Sequence, residues 1–230
     1  MKSVLQLVIA CTLFCSTSIA AEPPRLIAHR GGVVEEGLIE NNKPALEEAI
    51  DRGYWMIEVD VRESKDGHLV VHHDANFSRY YGDKRLLSDM TWDEISQLRS
   101  TPGDLWPLSF GEYAALCKDR IRVMIDTKEP EHGTALSETM LAELEKNDLL
   151  DTAYVIGTEE SKQFFLDKSR VGINAEGLEQ AVERGENVAE RYFLFVHGKG
   201  LDAAVVKRAQ ELGVPVVPSI NSFHYFGQEH

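Results

Sequence analysis

Trp55-Met56-Ile57-Glu58-Val59-Asp60-Val61 decides the reading of this chain. The stretch is β-branched and apolar apart from two carboxylates. It is followed, after a Ser64-Lys65-Asp66-Gly67 turn, by a second apolar run, Leu69-Val70-Val71. Leu26-Ile27-Ala28 lies ahead of it, closed by Gly31-Gly32. All three read as strands bounded by turn residues. Side chains alternate across a strand, so Glu58 and Asp60 share a face and can both hold one hard cation. Taken alone, such a pair is the solvated face of an amphipathic strand. Here it is embedded in apolar sequence, where an uncompensated charge is costly unless paired or metal-bound.

Outward from these segments, strand and helix candidates alternate. Strands are expected at Arg122–Asp126, Ala153–Ile156, Val171–Ile173, Tyr192–Val196 and Val214–Val217, making eight with the first three. Helices are expected at Pro44–Arg52, Thr91–Arg99, Ser109–Asp119, Thr134–Asn147, Glu159–Lys168, Leu178–Arg184 and Asp202–Leu212. This order predicts an α/β fold, a (β/α)8 TIM barrel, with active-site residues at the C-terminal strand ends. His29 and Arg30 follow strand one, Glu58 and Asp60 end strand two, His73 ends strand three, and Asp126 with Lys128 ends strand four. Residues 75–107 form a long excursion that reads as a cap over the site or as a structural loop.

His29-Arg30-Gly31, Ile39-Glu40-Asn41-Asn42, Glu58-Val59-Asp60-Val61, Ser64-Lys65-Asp66-Gly67 and His73-Asp74 form five linked stretches. In order and at similar intervals they resemble the motifs of the glycerophosphodiester phosphodiesterase family, and Ile125-Asp126-Thr127-Lys128 is similar to its Ile-Glu-x-Lys strand end. The resemblance covers about residues 25 to 130. Ile39 and Asn42 replace the family's proline and threonine, Asp126 replaces a glutamate, and where the family finishes with a Trp-Thr-Val-Asn strand, a helix and a last strand, this chain reaches Val216-Val217-Pro218-Ser219-Ile220-Asn221 and stops nine residues later. The expected closure of the barrel is accordingly atypical or truncated. The resemblance implies a metal-dependent phosphodiester hydrolase that cleaves glycerophosphodiesters to glycerol 3-phosphate and an alcohol. It assigns proton transfer to His29 and His73, substrate binding to Arg30 and Lys128, and the divalent cation to Glu58, Asp60 and Asp126. Glu40 stands either as a fourth ligand or behind the ligands. An oxygen-only donor set suits Ca2+ or Mg2+, with Ca2+ favoured for an exported protein. Two other readings are a phospholipase-type phosphodiesterase of the same superfamily acting on lipids, and a non-catalytic periplasmic phosphodiester-binding protein.

Lys2, the apolar run from Val4 to Phe14 and Ser18-Ile19-Ala20-Ala21 read as a secretory signal peptide over residues 1–21, leaving one domain over 22–230. The expected location is exported, periplasmic or secreted from a bacterium, with a lipoprotein signal at Cys11 as the alternative. No other stretch is apolar enough to span a membrane. Cys11 and Cys15 leave with the leader, so Cys117 stands alone and reads as a buried helix residue. The formal charge of -14 argues against nucleic-acid and anionic-membrane partners. The expected partner is a small glycerophosphodiester, with the oligomeric state left open. His72 should face away from His73 and pack against the helical layer. His68, His132, His197, His224 and His230 read as surface or capping residues.

Overall fold

The computed structural model describes residues 23–32, 38–128, 134–197 and 201–219. The expected leader, His132, Asn221, His224 and His230 lie outside them. Ile27–Ala28 (β1) pairs in parallel with the first residues of Met56–Glu63 (β2). The last residues of β2 pair instead with Leu69–Val71 (β3), which runs antiparallel.

This corrects the expected third barrel strand. Ser64 to His68 alone separate β2 from β3, closed by a Ser64 N–H to His68 carbonyl bond of 2.9 Å. A parallel return needs a crossover of about a dozen residues or more, so this connection can only make a hairpin. The excursion follows: a hairpin of Asn76–Phe77 (β4) and Asp83–Leu86 (β5) around the short helix Ser78–Tyr81 (α2), then helix Trp92–Ile95 (α3). Leu108–Ser109 (β6) returns the chain beside β3. Its own apolar cluster is Val70, Phe77, Leu87, Met90 and Ile95. The helix expected over 91–99 is shorter than expected: a Thr91/Glu94 capping box starts it. Beyond it, the Ser96 and Leu98 carbonyls bond the Arg99 guanidinium instead of continuing the helix.

Arg122–Thr127 (β7) then pairs in parallel with β2, setting Asp60 opposite Asp126. Tyr154–Gly157 (β8), Arg170–Ile173 (β9), Tyr192–His197 (β10) and Val216–Ser219 (β11) extend the sheet in parallel. The parallel order is β1-β2-β7-β8-β9-β10-β11, and among the described residues no ladder joins β11 to β1. Over the described residues the fold is an incomplete (β/α)8 barrel.

Lys43–Asp51 (α1), Phe110–Cys117 (α4), Thr134–Lys146 (α5), Glu159–Phe165 (α6), Ala175–Glu183 (α7) and Ala203–Glu211 (α9) cover the sheet. The α7 helix begins earlier than expected because the Asn174 side chain accepts from the Gly177 N–H at 2.8 Å. A further short helix, Val188–Arg191 (α8), was not expected.

Alternation along the strands sorts the core. Ile57, Val59, Val123, Ile125 and Val155 face the helices, and each such side chain fully buried contributes roughly 1.5–3 kcal/mol. Met56, Met124, Tyr154, Ile156 and Phe193 fill the barrel interior. Two residues further along, the same inward faces of β2 and β7 carry Glu58 and Asp126. The interior is therefore apolar at its base and acidic at its mouth. Below that base Trp55 is flanked by Arg25 and Arg122, 5.4 and 4.9 Å from its ring centre. Cys117 is fully buried on α4, and burial pushes its thiol up to about 12.

His72 faces away from His73 as expected, but it packs into the excursion rather than the helical layer. Its ring stacks on Phe77 at 4.4 Å and its Nε2 meets the Asn76 carbonyl at 2.9 Å. Burial holds the imidazole down to about 4, the Asn76 carbonyl opposing, whereas an unfolded histidine titrates near 6.5. As pH falls below the unfolded value the unfolded chain takes up a proton that the folded chain refuses, so stability is lost between pH 6.5 and 4. His72→Gln should therefore lose about 2 kcal/mol less than the parent when urea unfolding is compared at pH 7 and pH 4.5. Equal losses in the two proteins would show that the ring titrates alike in both states.

Candidate active site

The turn after β1 is built by backbone conformation. Arg30, Gly31 and Gly32 have φ of 51°, 67° and 95°, a left-handed run that favours glycine. A Cβ on Gly31 would lie 2.4 Å from the Asn41 Cα, so only glycine lets the Ile39–Asn42 segment approach this closely. The Asn41 N–H donates to the Arg30 carbonyl at 2.8 Å, and the Gly31 N–H to the Glu58 carbonyl at 2.6 Å. The same turn aims the Arg30 N–H at Glu58 Oε2, 2.7 Å away.

Glu58, Asp60 and Asp126 converge at the mouth, each offering an oxygen within 4.8 Å of the others. Glu58 and Asp60 are 4 % and 1 % exposed. Lys128 compensates two of the three: its Nζ lies 2.9 Å from Asp60 Oδ1 and 2.5 Å from Asp126 Oδ2. Asn41 holds the other Asp60 oxygen, Nδ2 to Oδ2, at 2.8 Å. Glu58 has only the His29 Nε2, 3.9 Å away, as an ion-pair partner among the described residues.

The electrostatics follow from this placement. Burial, reinforced by the Asp60 charge, pushes the Glu58 carboxyl well above the usual carboxylate range. Burial also raises Asp126, against the pull of Lys128. Burial would raise Asp60 too, but Lys128 and Asn41 outweigh it and hold Asp60 below its ordinary value. The cluster is thus short of positive charge at Glu58. Three convergent carboxylates with no nitrogen or sulfur donor form a ligand set that fits a hard divalent cation.

The histidines flank this cluster. His29 is about half exposed, at 53 % of its side chain; burial of the remainder and the Arg30 charge hold its imidazole below the ordinary range. His73 directs Nδ1 at Asp74 Oδ1, 2.8 Å away, and its backbone carbonyl accepts from Arg62 Nε at 2.9 Å. It lies close enough to His29, Asp60 and Asp126 to interact with each of them electrostatically.

Glu40 is buried but stands apart from the other three carboxylates. It groups with His73 and Asp74, and its Oε2 accepts from Arg30 Nη1 at 3.2 Å and from Arg79 Nη1 at 3.0 Å. Lys128, expected at the substrate, is engaged by carboxylates. The remaining expected residues come together at one end of the barrel. Sequence reasoning gave no role to Asn41 or Arg79. Asn41 sits in a motif already matched, and a positive φ of 54° at an asparagine is the kind of turn that puts its amide to structural use. Arg79 is brought in by the fold of the excursion, and no local spacing marks it.

A cavity of about 480 Å³ opens beside His29, Glu58 and Asp126. Ile27, Met124, Ile156, Phe195 and Val217 give it an apolar wall, and Lys162 and Asn174 also line it.

Several known proteins resemble this chain. A glycerophosphodiester phosphodiesterase of Caldanaerobacter subterraneus is 40 % identical over 73 residues, 32 % of this chain and 29 % of that protein. A probable glycerophosphodiester phosphodiesterase 1 of Mycobacterium tuberculosis is 27 % identical over 143 residues, 56 % of this chain and 52 % of that protein. A lysophospholipase D of Rattus norvegicus is 39 % identical over 71 residues, 31 % of this chain and 22 % of that protein. The matched segments thus span between about a fifth and about half of these relatives' lengths. A glycerophosphodiester phosphodiesterase from Parabacteroides distasonis shares the fold with a TM-score of 0.69, 22 % identity and coverage of 86 % of this chain and 84 % of that one. A phosphodiesterase from Oleispira antarctica, solved with the product sn-glycerol-3-phosphate, aligns with a TM-score of 0.67, 19 % identity and coverage of 86 % and 85 %. The model of the glycerophosphoryl diester phosphodiesterase family matches residues 29–194, most of the chain, including the carboxylates, the two histidines, Arg30 and Lys128 described above, and the chain belongs to that family.

Proposed function

We propose that this protein hydrolyses glycerophosphodiesters to glycerol 3-phosphate and an alcohol, with a divalent cation, Ca2+ ahead of Mg2+, held by Glu58, Asp60 and Asp126. The observation that carries the reading is the convergence of these three carboxylates between His29 and His73 at the barrel mouth. A bound cation would supply positive charge where the in-line transition state gathers negative charge on the phosphoryl oxygens. Arg30 and Lys128 add to that field from either side of the carboxylates.

The two imidazoles divide the proton transfers. His29, held neutral at neutral pH by burial and by Arg30, takes the proton of the attacking hydroxyl or water. His73 gives a proton to the alkoxide oxygen as its bond to phosphorus breaks, with Asp74 supporting the charged ring from Nδ1. Glu40, tied to Arg30 and Arg79, fixes the arginine that faces the substrate and stands outside the ligand set. The protein works after export, its first 21 residues serving as the signal peptide.

A second reading, the same cleavage applied to a lysophospholipid, is supported by the lysophospholipase D relative and by the apolar cavity wall of Ile27, Met124, Ile156, Phe195 and Val217.

A panel of glycerophosphodiesters and a lysophospholipid, assayed for released glycerol 3-phosphate and for released alcohol with and without chelator, tests both readings. Turnover lost to chelator and restored by Ca2+ is expected, and His29→Ala should lower kcat by roughly 10²–10⁴ with the fold intact. Saturable binding of the diester without turnover would assign the chain to the non-catalytic class. Cation binding also has a signature independent of turnover. Because the folded Glu58 holds its proton more tightly than an unfolded glutamate, its contribution is destabilising above the unfolded pKa and vanishes below it. Glu58→Gln should therefore melt higher than the parent at pH 7 in chelator, and lower than the parent in millimolar Ca2+. Near saturation at about 100 times Kd, ligand binding stabilises the parent by about 2.7 kcal/mol. A parent melting temperature that ignores Ca2+ would remove the proposed ion site.

A further inference from the structure

We infer that Arg79, a residue of the excursion, is a positioning residue that sets the orientation of His73 through Asp74; the catalytic part of this inference rests on the function proposed above. One guanidinium reaches two carboxylates. Nη2 lies 2.6 Å from Asp74 Oδ1, the same oxygen that meets His73 Nδ1 at 2.8 Å, and Nη1 lies 3.0 Å from Glu40 Oε2. Glu40 is 7 % exposed and is itself held by Arg30. It gives the guanidinium a fixed seat on the barrel side of the site.

Asp74 needs such a brace. It directly follows His73 in the chain and is partly solvent-exposed, so its carboxylate is free to rotate unless another group fixes it. A planar fork bonded at two points fixes the direction of both partners, which a point charge such as lysine does not. With Asp74 fixed, Nδ1–H of His73 has a stationary acceptor, and the ring tautomer and the direction of Nε2 are set.

The excursion is shaped to deliver this arginine. Asn76 Oδ1 accepts from the Ser78 N–H at 3.0 Å and so starts the short helix that carries Arg79. The Asn76 carbonyl in turn meets His72 Nε2 at 2.9 Å, tying that helix to the end of β3. Arg79 also lies over the Tyr80 ring, 5.5 Å from its centre. The excursion thereby does more than cover the site: its geometry reaches the imidazole through a chain of two hydrogen bonds.

A double-mutant cycle separates this role from a contact with the diester. Arg79→Ala and Asp74→Asn should each lower kcat by about 10- to 100-fold with KM little changed. The double variant should be no slower than Asp74→Asn alone, because both act on one hydrogen-bond chain. Arg79→Lys should recover part of the loss, and melting temperatures should show all variants folded. Losses that multiply in the double variant, or a rise in KM at constant kcat, would overturn the inference. Ring nitrogen NMR shifts of His73, assigned by comparison with His73→Asn, give a readout that needs no turnover. The parent should carry its neutral-form proton on Nδ1 and Arg79→Ala should show mixed tautomers. That shift in a chain that cleaves no glycerophosphodiester would refute the proposed function and leave the positioning role standing. An unchanged His73 spectrum in Arg79→Ala would remove the role whatever the activity.

Discussion

Three carboxylates crowded into a barrel mouth repel one another, and the surrounding structure is arranged around that repulsion. Burial makes each charge dearer, and proximity compounds it. Lys128 answers for Asp60 and Asp126, Asn41 for the second oxygen of Asp60, and the Arg30 N–H for one oxygen of Glu58. Each of these partners comes from a different segment, so the loops around the mouth are held in register by the charges they surround. Glu58, left with a backbone donor and a distant imidazole, is where the arrangement remains open to a cation.

The strand that carries Glu58 and Asp60 has two partners on one side. Its first half pairs with β1 and belongs to the barrel; its second half pairs with β3 and belongs to the excursion. On its other side β7 runs along most of its length and sets Asp126 across from Asp60. A slip of one residue would turn Glu58 and Asp60 toward the helices and bring Ile57, Val59 and Val61 into the mouth. Fold and site therefore share one register, and neither can shift without the other.

Much of this was legible beforehand because the signals were local. Alternation over Trp55–Val61 gave the acidic inner face, and the strand ends carried His29, Arg30, Asp126 and Lys128 to one place. The antiparallel β3 is legible too, since Ser64–His68 is too short for a crossover, although eight apolar segments alternating with helices point to a wholly parallel barrel. What stayed hidden depended on tertiary contact. Asn41 reaches Asp60 across 19 positions and Arg79 reaches Glu40 across 39. His72 found its packing partners in Phe77 and Tyr81 of the excursion rather than in the helical layer around the sheet. No period or turn signal encodes such meetings.

The two ends of the excursion lie side by side, since β3 and β6 pair through Val71 and Leu108. The chain leaves the sheet and rejoins it at almost the same point, with a separate apolar cluster in between. Residues inserted or deleted within that span would barely move the barrel strands, because lengthening a closed loop adds only slowly to its entropy. Such a segment can diverge between relatives in size and surface while the acidic mouth beneath it stays fixed, leaving evolution a place to change what is admitted without rebuilding what reacts.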